Sequence, residues 1–297
     1  MRIAVVGLKG QVATALIERG AGRHEILALG RPQLDLVVRA SVLGALRAAR
    51  PDVIVNAAAY TAVDRAEQEP EMAHAVNADG AGYVAEAAAS LDAPLLHLST
   101  DYVFAGTLDR PYRESDPTQP AGVYGRSKLE GERQALSRHA NAMILRTAWV
   151  YSPFGANFLR TMLRLGETRG EVGVVADQRG NPTFAIDLAD ALLALAERLK
   201  SDSSPDLRGV FHITGAGEAS WADFAQTIFA RAERHGRARV AVKRIATADY
   251  PTPARRPANS RLDNAKLRAA TGILLPDWRA SVARCVDRLL DPAATLG

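Results

Sequence analysis

Tyr124 and Lys128 carry the side chains of this sequence best suited to acid–base chemistry. They lie four residues apart, a spacing that puts both side chains on one face of a helix. A phenol with an ordinary pKa of about 10 is a poor proton donor at neutral pH. The neighbouring ammonium group stabilises the phenolate, so the pair predicts an acid–base centre in which Lys128 lowers the pKa of Tyr124. The pattern is short, however, and by itself more often marks a solvated helix face.

Three polar residues, Ser99, Thr100 and Asp101, follow the apolar run Leu95–Leu98. In a doubly wound sheet the carboxyl ends of the strands open onto the ligand crevice. The hydroxyls of Ser99 and Thr100 are therefore predicted to donate hydrogen bonds to a carbonyl oxygen. The phenol of Tyr124 then passes a proton to the same oxygen while a hydride reaches the carbon. A Ser-Thr pair after a strand is, taken alone, more typical of a turn.

A glycine pattern follows the first apolar run of the chain, with Gly7 and Gly10 at the start of a predicted helix. Gly7 permits a tight turn, and Gly10 lets the backbone approach a pyrophosphate at the helix N-terminus. Ala13 stands where a third glycine is usual, and a small residue is acceptable there. The segment predicts a dinucleotide site; the alternative is a glycine turn that binds no ligand.

Residues after the second and third strands bear on the choice of cofactor. NAD sites often place an acidic residue after the second strand to bond the ribose 2′-hydroxyl. Arg31 stands there instead. It suits a 2′-phosphate and favours NADPH, although a surface arginine is the alternative. Asp35 leaves NADH possible, since it can flank the adenine. Asn56 is predicted to bond the backbone at the end of the third strand or to lie in a loop.

The first 150 residues alternate between short apolar runs and helical patterns, which predicts an α/β fold with a Rossmann-type, doubly wound parallel sheet. The strand candidates are Ile3–Val6, Ile26–Leu29, Val53–Val55, Leu95–Leu98 and Met143–Leu145. The helix candidates are Gln11–Arg19, Ser41–Ala49, Glu71–Ser90 and Ser127–Ser137.

After residue 150 the alternation loosens. Helices are predicted at Ala185–Lys200, Trp221–Arg234 and Trp278–Leu290, a sixth strand that can rejoin the main sheet at Val210–Ile213, and a loop at Asp249–Ser260. We therefore expect residues 1–150, with about 185–213, to form an NADPH-binding domain. About 151–184 and 214–297 are expected to form a smaller, interleaved α/β domain that binds substrate.

The composition narrows the class of protein. Of 297 residues, 47% are hydrophobic and 24% charged, as in ordinary globular proteins, and no apolar run is long enough to cross a bilayer. The single cysteine, Cys285, excludes an internal disulfide framework and a CxxC metal site. The first residues read as a buried strand and not as a secretory signal, so a cytoplasmic location is expected. A net charge of +4 with scattered arginines suits an anionic small-molecule substrate better than nucleic acid.

Taken together, these motifs resemble the extended short-chain dehydrogenase/reductase superfamily and, within it, the dTDP-4-dehydrorhamnose reductase family. STDYVF together with VYGxSKxxGE is much more specific than either generic motif. Gln11 and Val12 after the second glycine favour the reductases over sugar dehydratases and epimerases. The similar stretches run from end to end of the chain: GLKGQVA (7–13), PDVIVNAAAYTAVDRAEQEP (51–70), STDYVFAG (99–106), VYGRSKLEGE (123–132), RTAWVY (146–151), DQRGNPTFAIDLA (177–189) and RPANSRLD (256–263).

The resemblance implies NADPH-dependent reduction of the C4 ketone of dTDP-4-dehydro-L-rhamnose to dTDP-L-rhamnose, a precursor of cell-surface polysaccharides. Tyr124 is implied as proton donor, Lys128 as the residue that holds the nicotinamide ribose, and Thr100 with Asp101 as contacts to the sugar that tune the donor. The implied cofactor contacts are Gly7, Gly10, Gln11, Val12, Arg31, Asp35, Leu36, Ala59, Tyr60, Thr61, Tyr124 and Lys128. The implied substrate contacts are Thr100, Asp101, Trp149, Asn181 and Arg256.

One position departs from some relatives, which dimerise through Mg²⁺ held by glutamates, one of them on the first helix. Ala15 stands on that helix here, so we assign no metal and expect a monomer or a homodimer without a magnesium bridge. Two other functions stay open. One is a non-catalytic, dinucleotide-binding regulatory subunit that resembles the β subunit of methionine adenosyltransferase. The other is a reductase or epimerase of another nucleotide-linked 4-keto-6-deoxysugar.

Overall fold

A computed structural model describes residues 1–291, so the last residues of the expected substrate domain, 292–297, lie outside it. The strands are β1 Arg2–Val6, β2 Glu25–Leu29, β3 Val53–Asn56, β4 Leu95–Thr100, β5 Ala142–Thr147, β6 Val150–Tyr151, β7 Glu171–Val175, β8 Arg179–Gly180, β9 Thr183–Phe184, β10 Gly209–His212, β11 Ala219–Ser220 and β12 Ala241–Ile245. The helices are α1 Gln11–Gly20, α2 Arg39–Ala49, α3 Val63–Ala66, α4 Pro70–His74, α5 Gly80–Ser90, α6 Val123–Arg138, α7 Phe158–Gly166, α8 Ala185–Ser201, α9 Trp221–Arg234, α10 Ala265–Thr271 and α11 Trp278–Leu290.

The main sheet has six strands in the order β10-β5-β4-β3-β1-β2, and every neighbouring pair is parallel. Apolar residues fill the inner strands on both faces, and Ile3 to Val6 are all fully buried. Continuous apolar strands of this kind are expected when helices cover both faces of a sheet. The α/β prediction with a doubly wound parallel sheet is confirmed. Since all strands run the same way, their carboxyl ends lie along one edge.

The sixth strand, β10, joins the sheet some sixty residues after β5, as the sequence predicted. It pairs with β5 so that Val210 lies opposite Ile144 and His212 opposite Arg146. Helix α8 precedes it and packs against α1, where Arg19 Nε lies 2.7 Å from the carboxylate of Asp190. The chain therefore leaves the main sheet after β5 and returns to it through α8 and β10.

The rest of the second half forms three two-stranded sheets, β6 with β9, β7 with β12 and β8 with β11, surrounded by α7, α9, α10 and α11. One apolar core joins these elements to the main sheet. It extends from Val5 of β1 through Phe211 of β10 to Phe224 of α9 and Trp278 of α11. The short strands β6, β8, β9 and β11 were not predicted, because two-residue strands carry no hydrophobic period.

Two predicted helices differ from the observed ones. The helix expected at Glu71–Ser90 consists of α4, a π-helical segment Ala75–Asp79 and α5. The helix expected at Ser127–Ser137 begins four residues earlier, at Val123. Gly125 and Gly131 lie inside this helix because it packs closely on its neighbours. A Cβ at Gly125 would overlap the Tyr102 carbonyl oxygen, and one at Gly131 would overlap the Asn77 carbonyl oxygen.

Candidate active site

The carboxyl end of β4 places Thr100 at the crevice edge of the sheet. Its hydroxyl oxygen accepts the backbone N–H of Tyr102 at 3.2 Å and lies 3.1 Å from Asp101 Oδ1, so it caps the 3₁₀ turn Asp101–Val103. Successive strand residues point to opposite faces. Ser99 accordingly donates to Glu132 Oε1 at 2.5 Å, beneath α6. The prediction that both hydroxyls reach one carbonyl oxygen is therefore wrong for Ser99.

Tyr124 lies in the first turn of α6, with the edge of its ring against the ring of Tyr102 at a centroid distance of 5.5 Å. Burial raises the pKa of its phenol, and the nearby charge of Asp101 adds to the rise. The hydroxyl of Thr100 forms a hydrogen bond that opposes it. The lowering expected from Lys128 is not found, because loss of hydration outweighs the favourable contacts. The half-buried, neutral phenol holds its proton at physiological pH.

Lys128 follows one turn later on the same face of α6 and is only 2% exposed. Its Nζ donates to the carbonyl oxygen of Leu98, in β4, at 2.6 Å. Burial lowers the pKa of this ammonium to about 8, while the carboxylate of Glu132 raises it. The ammonium has three protons to donate, of which this contact uses one.

Asp101 is a buried carboxyl beside the phenol. Burial raises its pKa to about 6, against hydrogen bonds from Ser260 and Thr100 that lower it. Among residues 1–291 no hydrogen-bond partner meets its Oδ2 atom. A buried carboxyl oxygen without a partner is costly, so this atom is suited to receive a polar group of a ligand.

The turn between β1 and α1 has the geometry that a pyrophosphate needs. Gly7 has φ = +132°, a backbone conformation that favours glycine, and Ala13 packs next to it. Gly10 faces open space, and no side chain caps the start of α1. Its first backbone N–H groups therefore remain to bind an anion, and these residues fit a dinucleotide.

The side chain of Gln11, however, bonds the second half of the chain and does not face the anion site. Its Nε2 donates to the carbonyl oxygen of Val150 at 3.3 Å, and its Oε1 accepts the hydroxyl of Ser152 at 2.7 Å. The side chain thus ties α1 to the start of the second half, and only the backbone N–H groups of Gln11 and Val12 are placed at the anion site.

After β2, Arg31 is exposed, as a residue meeting a 2′-phosphate must be. The carboxylate of Asp35 accepts the backbone N–H of Val37 at 3.2 Å and so serves the local turn. Leu36 is buried, with its carbonyl oxygen 2.9 Å from where a Cβ on Gly80 would lie.

The end of β3 is held by two buried asparagines. Asn56 accepts the backbone N–H of Ala58 at 3.3 Å, as predicted, and its amide lies 3.1 Å from His97 Nδ1. Asn77 accepts the backbone N–H of Tyr60 at 2.7 Å and donates to its carbonyl oxygen. The loop of Ala59, Tyr60 and Thr61 is therefore fixed by the π-helical segment, while the Tyr60 hydroxyl donates to Glu69 at 2.7 Å.

On the expected substrate side, Trp149 has φ = +48° and stacks on Trp221 at a centroid distance of 3.6 Å. Its indole also lies against Gly180, where a Cβ would overlap the ring. The two indoles form one aromatic surface, which the sequence did not predict because the partner lies 72 residues away.

Asn181 and Arg256 both bond the protein itself. The Asn181 amide donates to the carbonyl oxygen of Gly217 at 2.6 Å and accepts the N–H of Leu262 at 2.8 Å. Arg256 pairs with Asp64 at 2.6 Å and donates to the Tyr102 hydroxyl at 3.1 Å. Asn181 thus organises the loops around the crevice, and Arg256 links the predicted loop to α3 and to the aromatic pair.

Several residues near the site were missed from the sequence, although Glu67 falls inside a stretch that carries the resemblance. Glu67 accepts the backbone N–H of Val123 at 2.8 Å, at the start of α6. Asn77 also donates to Ser127 at 3.0 Å, inside the YxxxK segment. The acidic residue in the 51–70 stretch was the available signal for Glu67, and only the fold assigns the partners of both residues.

Within residues 1–291, no group of three His, Cys, Asp or Glu side chains is arranged to hold a metal ion, and Ala15 is buried. Across the same residues, the helices are all too short or too polar to span a bilayer.

Comparisons with known proteins agree with this geometry. The family model described as the RmlD substrate binding domain matches residues 1–290. A dTDP-4-dehydrorhamnose reductase from Sinorhizobium fredii is 53% identical, over 98% of each chain. The crystal structure of one from Clostridium acetobutylicum has a TM-score of 0.91 at 36% identity, covering 97% of this chain and 99% of that one.

A further crystal structure, of the Bacillus anthracis dTDP-4-dehydrorhamnose reductase in complex with NADP, has a TM-score of 0.89 at 34% identity. It covers 96% of this chain and 98% of that one. The match extends over both the glycine turn and the second half of the chain. The chain belongs to the dTDP-4-dehydrorhamnose reductase family.

Proposed function

We propose that the protein catalyses the NADPH-dependent reduction of the C4 ketone of dTDP-4-dehydro-L-rhamnose to dTDP-L-rhamnose. One observation carries the proposal. Thr100, Tyr124 and Lys128 meet at the carboxyl end of β4, on the same edge of the sheet as the open glycine turn after β1. A ligand crevice at this edge is the rule for doubly wound sheets.

The cofactor is NADP in its reduced form, with NADH as a possible substitute. The backbone N–H groups of Gln11 and Val12 suit the pyrophosphate, and exposed Arg31 suits a 2′-phosphate. When bound, NADPH supplies the hydride that becomes the C4 hydrogen of the product. The loop of Ala59, Tyr60 and Thr61 is held rigidly by Asn77, which suits a wall of this site.

Tyr124 gives its proton to the ketone oxygen. Burial keeps the phenol protonated in the resting protein, so an acid is ready when substrate enters. Thr100 contacts the phenol and stabilises negative charge on it after the proton has left. Asp101, whose Oδ2 has no partner within the described chain, binds a hydroxyl of the sugar.

Lys128 acts beside the phenol. Its ammonium is anchored on the Leu98 carbonyl oxygen, and its other protons can reach a ribose hydroxyl. A positive charge at this point also favours the phenolate that forms after proton transfer.

For the substrate we propose an arrangement in which residues 151–184 and 214–297 hold the sugar nucleotide against the NADPH-binding part. The Trp149–Trp221 surface packs on the deoxysugar, since an indole face suits the apolar side of such a ring. Arg256 provides positive charge for the nucleotide side, and Asn181 acts through the loops that it fixes.

We propose a cytoplasmic enzyme whose partner is the dTDP-sugar, with no nucleic-acid or membrane partner. The protein acts as a monomer or as a homodimer without a magnesium bridge.

The experiment is to follow NADPH oxidation with dTDP-4-dehydro-L-rhamnose, to repeat it with NADH, and to identify the product by mass spectrometry and proton NMR. We expect dTDP-L-rhamnose and faster turnover with NADPH. Turnover with a different 4-keto-6-deoxysugar nucleotide alone would change the substrate. NAD⁺ retained through purification would indicate an epimerase or dehydratase. A stoichiometric copurifying partner, with no oxidation on any ketosugar, would indicate a regulatory subunit.

A further inference from the structure

A buried ion pair lies directly beneath the acid–base residues. Glu132 is 2% exposed and Arg146 4% exposed, and two hydrogen bonds of 2.9 and 2.6 Å join the guanidinium to the carboxylate. Glu132 Oε1 also accepts the Ser99 hydroxyl at 2.5 Å. Bidentate Arg–carboxylate pairs of this kind fix geometry strongly.

The position of Glu132 relates this pair to the chemistry. Tyr124, Lys128 and Glu132 follow one another at intervals of four residues, so they form one row along α6. The ligands of Glu132 come from the sheet below: Ser99 precedes Thr100 in β4, and Arg146 lies opposite Ser99 in β5. The carboxylate therefore joins the helix that carries the phenol and the lysine to the strand that carries Thr100.

The pair also sets the charge around Lys128. Burial alone disfavours the ammonium, and Glu132 is the charge that opposes this effect. A carboxylate one helical turn away is well placed to keep the lysine protonated near neutral pH.

We propose that Glu132 is a positioning residue, which fixes Lys128 and α6 on the ends of β4 and β5 and maintains the lysine as an ammonium; this rests on the proposed function. Glu132 does not touch the reacting atoms and acts only through Lys128, Ser99 and Arg146. The role of Lys128 in the reaction is the one already assigned.

Other ionisable groups belong to the elements around Lys128 and must be considered in a pH experiment. Burial, and after it the charge of Lys128, lowers the pKa of His97 in β4, and Asp101 and Tyr124 lie near the reacting atoms. The remaining groups on elements packed against α6, or close to Arg146, are Asp64, Arg65, Glu67, Glu71, His74, Asp79, Glu86, Tyr83, Tyr102 and His212.

The test compares Glu132→Gln, Glu132→Asp and the double variant Glu132→Gln/Arg146→Met. Asp287→Asn serves as a matched control, because Asp287 also holds an arginine, Arg231, through two hydrogen bonds of 2.6 and 2.5 Å far along the chain. The double variant removes both buried charges, so it folds even if Glu132→Gln leaves an arginine unpaired and does not.

Two quantities are measured from pH 6 to 9.5: kcat/KM, and the NADPH dissociation constant by isothermal titration calorimetry. In the wild type we expect kcat/KM to fall and the NADPH dissociation constant to rise as the pH passes through about 8, where Lys128 loses its proton. In Glu132→Gln and in the double variant we expect this decline to occur about one pH unit lower. In Glu132→Asp, the pH at which kcat/KM and NADPH affinity decline should return most of the way to the wild-type value. Asp287→Asn should leave this pH unchanged.

The proposal would be overturned by variants that lose stability or activity but keep the wild-type pH dependence of kcat/KM and of the NADPH dissociation constant, since Glu132 would then have only a structural role. Failure of the proposed function is a different result: the wild type would bind NADPH with the expected pH dependence and reduce no 4-ketosugar nucleotide. In that case the calorimetric shift still tests Glu132.

Discussion

The carboxylate of Glu67, in the loop after α3, accepts the backbone N–H of Val123 at 2.8 Å and so caps the helix that carries Tyr124. The N-cap residue itself, Gly122, has no side chain to do this, and a Cβ there would lie 2.6 Å from Glu67 Oε1. The first turn of α6, and with it the phenol, is thus fixed by a distant part of the chain.

Glu67→Ala is expected to lower the free energy of unfolding by about 1 kcal/mol, because a helix N-terminus loses its cap. Glu67→Gln keeps an acceptor oxygen and should lose less. Urea denaturation gives both values, and kcat should fall more in the alanine variant as the first turn loosens. Equal stability of Glu67→Ala and the wild type would show that water replaces the carboxylate.

Tyr124→Phe is expected to reduce kcat by about 10²- to 10⁴-fold, the usual contribution of a positioned general acid. NADPH affinity should change little, since the ring and its contact with Tyr102 are retained. Stopped-flow turnover and calorimetry separate the two effects. Turnover at the wild-type rate would remove Tyr124 from the role of proton donor.

Asp101 makes stability depend on pH. Its pKa is about 6 in the folded protein and about 4 in the unfolded chain, so its stabilising effect is full below pH 4 and disappears as the pH rises through 6. Two units correspond to about 3 kcal/mol. The wild type should therefore lose stability relative to Asp101→Asn between pH 4 and 7, measured by urea denaturation. A difference that stays constant with pH would mean that the carboxyl is ionised throughout.

Gly131→Ala tests the close packing of α6 on the π-helical segment. A Cβ there overlaps the Asn77 carbonyl oxygen, so we expect a loss of about 1–3 kcal/mol. Gly44→Ala, in the exposed part of α2 with nothing within 4 Å, is the matched control. It should gain about 0.5–1 kcal/mol from better helix propensity. If both variants shift the thermal midpoint alike, helix propensity and not packing governs Gly131.

Asp64→Asn weakens the attachment of the 249–256 loop to α3. The ion pair with Arg256 is partly exposed, so its loss should change stability by less than about 1 kcal/mol. Limited proteolysis should nevertheless become faster within this loop, because the amide retains only part of the contacts to Ala254 and Arg256. KM for the sugar nucleotide should rise more than kcat falls. Unchanged proteolysis would show that other contacts hold the loop.

Much of the fold was predictable because the first five strands and their helices repeat a strong βα pattern. β1 to β5 begin and end within two residues of the predicted runs. The break at Ala75–Asp79 was not predictable, since a π-helical segment keeps the apolar composition of the helices around it. The early start of α6 was missed because Gly125 weakens the helical pattern of the first turn, and the reason for this glycine is its close contact with the Tyr102 carbonyl oxygen.

For the site, sequence patterns located Thr100, Tyr124 and Lys128, which the structure brings to one place. They did not reveal that Ser99 points away or that burial governs the pKa of Tyr124, because both depend on what lies on each side of β4. The Trp221 partner of Trp149 was equally hidden, since contacts between distant segments leave no local signal.

The late return of β10 has a consequence for synthesis on the ribosome. Until residue 212 has left the exit tunnel, the outer side of β5 has no neighbour and α1 lacks the cover of α8. The nascent chain must therefore carry exposed β5 backbone groups and an apolar helix face while the intervening residues are translated. The main sheet cannot be completed before residues 151–208 have been synthesised, so the first 150 residues cannot finish folding on their own.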